Sequence, residues 1–300
     1  MYSREISLDR LRSARRLGLV LSGGSFRCAF QVGVLETLAE LGVRPAVCIA
    51  VSAGVWNGAA LSAGTVHRLR HYWRAFMRMP LLDVRNLLRE RSPYRFPEIH
   101  RRTFSRYVGA ERLRRPGALP LLIAMTRLRD RRAVYMDARA VEDPLKLLLA
   151  SNYLPPFFTH APSIAGERYG DGGIADNLPY ERAFAEGCDV VVLVTMKGES
   201  AGHPYRSPYD PRHEIPSRFR ERMVVIRPRH RLAVSFVERR WPVILQTIEL
   251  GRLRAREVIL GESHPETEAR ADAGALRSLF SRLLTTGALA AGRRLSSTAS

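Results

Sequence analysis

The sequence predicts one α/β domain, a mostly parallel sheet covered on both faces by helices. Three observations predict it. The chain has 300 residues, 46% of them hydrophobic, enough to bury a single large core. Short apolar runs of strand length recur along it. The first two runs each pass through a small-residue turn into apolar positions at helical spacing, the alternation expected of a parallel sheet.

Taken in order, Leu17 to Leu21 is an apolar run ending in Ser22-Gly23-Gly24, and Phe30, Val34, Leu38 and Leu41 follow at helical spacing. Ala46 to Val51 repeats the scheme, with Ser52-Ala53-Gly54 as the turn and Val55 to Leu61 as a small-residue helix able to pack close to a sheet. An arginine-rich helical region with aromatics, His67 to Tyr107, then interrupts. Leu121 to Met125, Ala133 to Met136, Val190 to Val194 and Met223 to Ile226 are further strands. Trp241 to Ile259 places Ile244, Leu245, Ile248, Ala255 and Ile259 on one helix face, with Arg252, Arg254 and Arg256 in its C-terminal half; this suits a helix covering the core. The stretch from Gly292 to Ser300 reads as a frayed tail. The expected division is a basic N-terminal segment over 1–16, one domain over 17–285 and a tail over 286–300.

Composition limits the function. The longest uncharged run, Pro45 to Val66, approaches the roughly 20 residues of a membrane span, but Ser52, Gly54, Asn57, Gly58, Ser62 and Gly64 interrupt it. The N-terminus is basic without the apolar core of a secretory signal, so the chain reads as cytoplasmic. Cys28, Cys48 and Cys188 form neither an even framework nor a C-x-x-C pair, which argues against disulfides and a cysteine zinc site. The formal net charge is +19, nearly all from arginine, since Lys146 and Lys197 are the only lysines. Such a field attracts polyanions, either nucleic acid or an anionic membrane surface.

Three motifs carry chemistry. Ala50-Val51-Ser52-Ala53-Gly54 places a serine between small residues at a strand-to-helix turn, the requirement of a nucleophile elbow; a serine capping the following helix would leave the same trace. A serine needs a base and donors for the oxyanion that forms on acyl attack. Ser22-Gly23-Gly24-Ser25-Phe26-Arg27 is a glycine turn at a helix start, where outward backbone N–H groups suit an oxyanion hole. It lacks the Gly-Lys-Ser/Thr of a phosphate-binding loop, and its spacing fails the dinucleotide pattern. Tyr169-Gly170-Asp171-Gly172-Gly173 sets an aspartate among three glycines, as a confined carboxylate or a surface turn would.

These three blocks in this order, together with Ala150-Ser151-Asn152-Tyr153-Leu154-Pro155-Pro156-Phe157-Phe158, resemble the patatin-like phospholipases. The resemblance runs from the strand at Leu17 to the one ending at Val194. It implies a three-layer α/β/α sandwich and a serine-aspartate dyad, with Ser52 as nucleophile and Asp171 as base. Backbone amides around Gly23, Gly24 and Ser25 would hold the oxyanion with Arg27 beside them, Ala50 and Gly54 would frame the elbow, and Gly172 and Gly173 would complete the aspartate element. Acyl transfer would run through an acyl-Ser52 intermediate, with no metal or organic cofactor, on a phospholipid or other acyl-ester lipid. Three departures add a Cβ where the family has glycine: Ser25, Cys28 and Ala50.

Two other readings compete. An α/β-hydrolase triad would recruit one of His203, His213, His230 and His264, all of which follow Asp171. A basic binding protein on an inactive scaffold would use the charge, with His71-Tyr72-Trp73-Arg74-Ala75-Phe76-Met77-Arg78 and Arg91-Ser92-Pro93-Tyr94-Arg95-Phe96 as its nearest approach to a nucleic-acid surface. Those stretches serve equally as amphipathic cover over an acyl pocket, and the enzyme reading expects them and the Trp241 helix to approach an anionic membrane surface rather than nucleic acid.

Overall fold

Where described, the chain begins with α1 (Leu8–Ser13), whose Leu11 is buried, and enters the sheet at β1 (Leu17–Leu21). The computed structural model describes residues 8–90, 92–158 and 161–265, so the first seven residues and the expected tail over 286–300 lie outside the described residues. A 3-10 turn over Ser25–Cys28 leads into α2 (Ala29–Glu40), and β2 (Val47–Val51) leads into α3 (Gly54–Ser62). The arginine-rich region forms α4 (Leu69–Arg78), α5 (Asn86–Glu90), α6 (Phe96–Tyr107) and α7 (Ala110–Arg114). Then come β3 (Leu121–Arg127), β4 (Ala133–Asp137), α8 (Pro144–Ala150), β5 (Ser163–Ile164) and β6 (Glu167–Asp171). The described chain closes with α9 (Tyr180–Ala185), β7 (Val190–Val194), α10 (Ser217–Arg220), β8 (Met223–Ile226) and α11 (Trp241–Leu260).

The strands form one sheet in the order β5-β6-β3-β2-β1-β7-β8, with β4 also on β3. Pairing is parallel from β3 through β2, β1 and β7 to β8, and antiparallel where β4 and β6 meet β3. Successive side chains of a strand point to opposite faces, so the continuous apolar runs feed two cores at once. Leu19, Leu21, Cys48, Ala50, Leu121 and Ile123 join the larger core under α2, α3, α4, α6 and α11. Val20, Val47, Ile49, Leu122, Val191 and Leu193 join a smaller one under Tyr180 and Ala183 of α9 and Phe219 of α10. The result is a three-layer α/β/α sandwich.

β6, like the two-residue β5, is a strand that the sequence reading does not assign. Gly170 and Asp171 are residues depleted from strands, and their extended conformation is held by antiparallel pairing of Tyr169, Gly170 and Asp171 with Arg127, Thr126 and Met125. That pairing positions the site. β3 carries β2 along Leu121 to Ala124, puts Val51 opposite Ala124, and then carries Asp171 opposite the next residue, Met125. The ends of β2 and β6 therefore meet on β3.

Helix α11 buries Ile244, Ile248, Ala255 and Ile259 as its spacing predicts, while Leu245 is only partly buried, and its arginines are ion-paired: Arg252 with Glu249, Arg254 with Glu199 and Glu257, Arg256 with Glu262. It crosses α2 at glycines. A Cβ on Gly251 would lie 2.0 Å from the Phe30 carbonyl oxygen, and one on Gly33 1.9 Å from that of Ile248. Gly251→Ala is predicted to push the helices apart and lower stability by about 1–3 kcal/mol, the usual cost of overpacking, seen as a lower Tm in a thermal melt. An unchanged Tm would mean that the two helices are not so closely apposed.

Candidate active site

Ser52 follows β2 and has a positive φ of 51°, a left-handed conformation that a non-glycine residue adopts only where its surroundings impose it. Those surroundings are α8's C-terminal end. Ser151 Oγ accepts the Ser52 N–H at 2.9 Å and donates to the Ala124 carbonyl at 2.7 Å. Asn152 Nδ2 donates to the Ser52 carbonyl at 3.1 Å, and its Oδ1 accepts from Trp56 Nε1 at 3.3 Å. Gly54 follows at the start of α3, packed under the carbonyls of Leu21 and Ser22.

The Ser52 hydroxyl donates directly to Asp171 Oδ2 at 2.6 Å. The other carboxylate oxygen, Oδ1, accepts the Gly173 N–H at 2.8 Å, and Thr126 Oγ1 donates to the Asp171 carbonyl at 2.7 Å. Gly172 lies against Ala124 and Val51, where a Cβ would be 2.3 Å from the Ala124 carbonyl oxygen. Burial pushes the Asp171 carboxyl up to about 6, against the opposing effect of the Ser52 and Gly173 hydrogen bonds. It is thus poised to take a proton at neutral pH without losing its charge there.

The glycine turn closes over the serine. A Cβ on Gly23 would lie 2.7 Å from Ser52 Cβ. The Gly23 N–H is not a free donor, however, because it donates to Asn177 Oδ1 at 2.7 Å. What Gly23 supplies in this structure is its close approach to Ser52. Gly24 and Ser25 open the 3-10 turn, and among the described residues no acceptor meets their N–H groups. The turn is braced by Gln31 Nε2 donating to the Ser22 carbonyl at 2.7 Å and Asn57 Nδ2 donating to Gln31 Oε1 at 2.9 Å and to the Cys28 carbonyl at 2.8 Å.

Each of the three departures from glycine is accommodated. Ser25 keeps a glycine-like φ of 53°, and its hydroxyl points away from the turn to the Phe236 carbonyl at 2.6 Å. Cys28 has an ordinary helical conformation and is fully buried. Ala50 directs its methyl at Gly58 of α3, where a Cβ would lie 3.0 Å away; the small residue has moved from strand to helix.

Ser52 and Asp171 open into a cavity of about 610 Å³. Its lining includes a cluster of mutually packed rings, Phe26, Trp73, Phe76, Phe96, Phe157 and Phe158, and the polar side chains of Arg27, Asn177, Lys197, Tyr205 and Arg231. Tyr72, Trp73, Phe76 and Phe96 are buried, so the two aromatic stretches face inward as cavity wall. His100 is stacked on Trp56 at 3.9 Å and bonded to the Tyr72 hydroxyl, and burial pushes its imidazole down to about 3, keeping it neutral. None of His203, His213, His230 and His264 lines the cavity. His213 instead bonds Tyr180 at 2.7 Å and Asp210 at 2.6 Å beside the smaller core. Among the described residues no group of His, Cys, Asp and Glu is placed to hold a metal ion.

Sequence reasoning assigned no role to Ser151, Asn152 and Asn177, which hold the elbow and the turn. Ser151 and Asn152 stand in one of the four blocks on which the resemblance rests; Asn177 stands six residues after Asp171 in another. Polar residues inside those blocks were the available signal.

A family model described as patatin-like phospholipase matches residues 19–184. No curated protein matches the chain. Among solved structures, VipD from Legionella pneumophila is similar at 12% identity and a TM-score of 0.51, covering 84% of this chain and 68% of its own. The type III effector protein ExoU is matched at 15% identity and a TM-score of 0.39, over 82% of this chain and 52% of its own. The likeness to VipD bears on the fold alone.

The contact between Ala50 and Gly58 generates a prediction. Ala50→Gly, which restores the family residue, should lower stability by roughly 0.5–1 kcal/mol, because a strand glycine adds backbone entropy to the unfolded chain and the methyl's packing is lost. A thermal melt measures it. A higher Tm would show that the methyl strains the elbow.

Proposed function

The chain belongs to the patatin-like phospholipase family, and we propose that it is a lipid acyl hydrolase, of phospholipase A or lysophospholipase type, working through a Ser52–Asp171 dyad. The observation that carries the reading is the direct 2.6 Å bond from the Ser52 hydroxyl to Asp171, at a strained elbow facing an aromatic cavity. An acyl chain packs against the aromatic lining and brings its ester carbonyl to Ser52. Asp171 takes the Ser52 proton as Oγ attacks, and the Gly24 and Ser25 N–H groups stabilise the oxyanion. Asp171 returns the proton to the leaving alcohol, then activates the water that frees acyl-Ser52. The carboxylate meets the serine without an intervening imidazole, which disfavours a histidine triad.

Fatty-acid release from phospholipid vesicles tests this. Ser52→Ala and Asp171→Asn should each abolish it, by about 10³-fold or more, as expected when one member of a unit is removed. Both variants should stay folded. The folded carboxyl titrates about 6 and the unfolded one near 3.8, so the ionised form costs stability in full above pH 6 and not at all below the unfolded value. Asp171→Asn removes that cost and should melt no lower than the parent at pH 8. Release that persists in Ser52→Ala would refute the reading.

The reading includes reversible docking on an anionic bilayer. Among the described residues no helix is long and apolar enough to cross a membrane. The segment between α4 and α6, however, exposes Leu82 (59%), Val84 (80%) and Leu88 (91%), with Leu87 and the basic Arg85 also exposed. It borders the cavity mouth: Leu82 bridges Tyr94, whose ring packs on Phe157 at 4.8 Å, and Phe157 meets the exposed Phe236 at 5.2 Å. Apolar tips beside arginine, at the mouth of an apolar cavity, fit entry into a head-group layer. This shifts the expected lipid-facing surface from the inward-turned aromatics to Leu82–Leu88. In sedimentation with vesicles containing phosphatidylglycerol, Leu87→Asp combined with Leu88→Asp should reduce the bound fraction several-fold at unchanged Tm. Equal binding by parent and variant would remove this segment from the account.

A further inference from the structure

The aromatic lining of the cavity holds a polar ring edge that acyl transfer does not use. Trp56 Nε1 donates to Asn152 Oδ1 at 3.3 Å and Trp73 Nε1 to Asn57 Oδ1 at 3.1 Å, so both indole N–H groups are engaged within the protein. His100 of α6 is different. Its Nδ1 is bonded to the Tyr72 hydroxyl at 3.2 Å, whereas its Nε2 has no hydrogen-bond partner among the described residues. Nε2 is not a sealed atom either: the residue is 7% exposed and keeps that edge on the cavity it lines.

The surroundings are hydrocarbon. The imidazole lies flat on the Trp56 ring at 3.9 Å and faces Phe76 at 4.8 Å, with Phe158 at 6.3 Å and Phe96 at 6.4 Å. A phenylalanine would fill the same stack without bringing in a polar atom that costs free energy when it is left unpaired. Burial keeps the ring neutral, so it offers no charge to a head group. If the Tyr72 hydroxyl donates to Nδ1, Nε2 carries the hydrogen; if that hydroxyl accepts, Nε2 is itself an acceptor. A ligand hydroxyl answers either case, since it both donates and accepts, whereas a carbonyl answers only the first. Trp56, under the imidazole, stands four residues after Ser52, and Asn152 joins the two by donating to the Ser52 carbonyl at 3.1 Å. His100 is thus set back from the nucleophile by a helical turn and a stacked ring, where a bound substrate presents its chain rather than its ester.

We propose that His100 Nε2 is a specificity point for a hydroxyl carried on the acyl chain, which makes hydroxylated acyl esters preferred over plain ones. The proposal rests on the hydrolase reading and names its substrate class. A buried polar atom that a substrate hydroxyl satisfies discriminates against the analogue that leaves it unpaired, while a wholly hydrocarbon wall separates the two weakly.

Binding to the Ser52→Ala protein tests this without turnover, by titrating methyl decanoate and its monohydroxylated positional isomers against the fluorescence of Trp56 and Trp73. The isomer whose hydroxyl reaches Nε2 should bind about tenfold tighter than methyl decanoate, the scale of one hydrogen bond to a group otherwise unpaired. His100→Phe combined with Tyr72→Phe removes both members of the pair, which spares the fold an orphaned phenol, and should bring that isomer down to methyl decanoate or below. His100→Asn, whose amide meets the Tyr72 hydroxyl but stops short of the Nε2 position, should do the same. A merely structural histidine would move all the esters together and leave their ratio intact. The assignment is overturned if no isomer binds more tightly than methyl decanoate, or if the ratio survives these substitutions. Acid release from the same esters by the protein with Ser52 intact is read separately. No turnover alongside the preference would sink the hydrolase reading and leave the hydroxyl subsite standing; turnover without the preference would do the reverse.

Discussion

The hydrogen bond between Ser52 and Asp171 depends on where two strands stop. β2 runs along β3 as far as Ala124, and β6 arrives antiparallel at Met125, so a serine leaving one strand and a carboxylate ending the other are set side by side by backbone register. Side-chain period in a strand is two, and a shift of one residue in either pairing would turn Ser52 or Asp171 to the opposite face. Much of the local sequence serves that register. Gly172 lets the backbone after Asp171 press on Ala124, Thr126 binds the Asp171 carbonyl, and Ser151 joins the Ser52 amide to the Ala124 carbonyl. The strain at Ser52 is thereby held by neighbours on three elements rather than by the elbow itself.

The cavity takes its aromatic lining from α4, α6 and the segment after α8, together with Phe26 of the turn after β1. Those rings pack on one another, so the wall is continuous with the larger core. Many of the described arginines are ion-paired, α11's among them.

Much of the fold was legible in the sequence because the strands of the parallel sheet are buried on both faces and so read as unbroken apolar runs. Leu17 to Leu21 and Val190 to Val194 coincide with β1 and β7. β6 was not legible, because its polar and glycine residues are extended only through pairing with a partner distant in sequence. Ser52 and Asp171 stood out by their small-residue flanks, and the structure brings them within hydrogen-bond distance. The engagement of Gly23 by Asn177 could not be read, since it links residues on separate segments. The exchange of small residues between Ala50 and Gly58 was hidden likewise: each position alone is a departure or an ordinary helix glycine, and only their packing makes them a pair. The inward turn of Trp73 and Phe76 was open to two readings until the core beneath them was known.

The measurement that tests the central claim most directly is the rate at which a fluorophosphonate labels Ser52, followed across pH by mass spectrometry of the labelled peptide. With Asp171 as the base titrating at about 6, labelling should be flat above that value and fall by about tenfold per pH unit below it, and Asp171→Asn should not label. Labelling of Asp171→Asn at the parent's rate, or modification at a residue other than Ser52, would contradict the account.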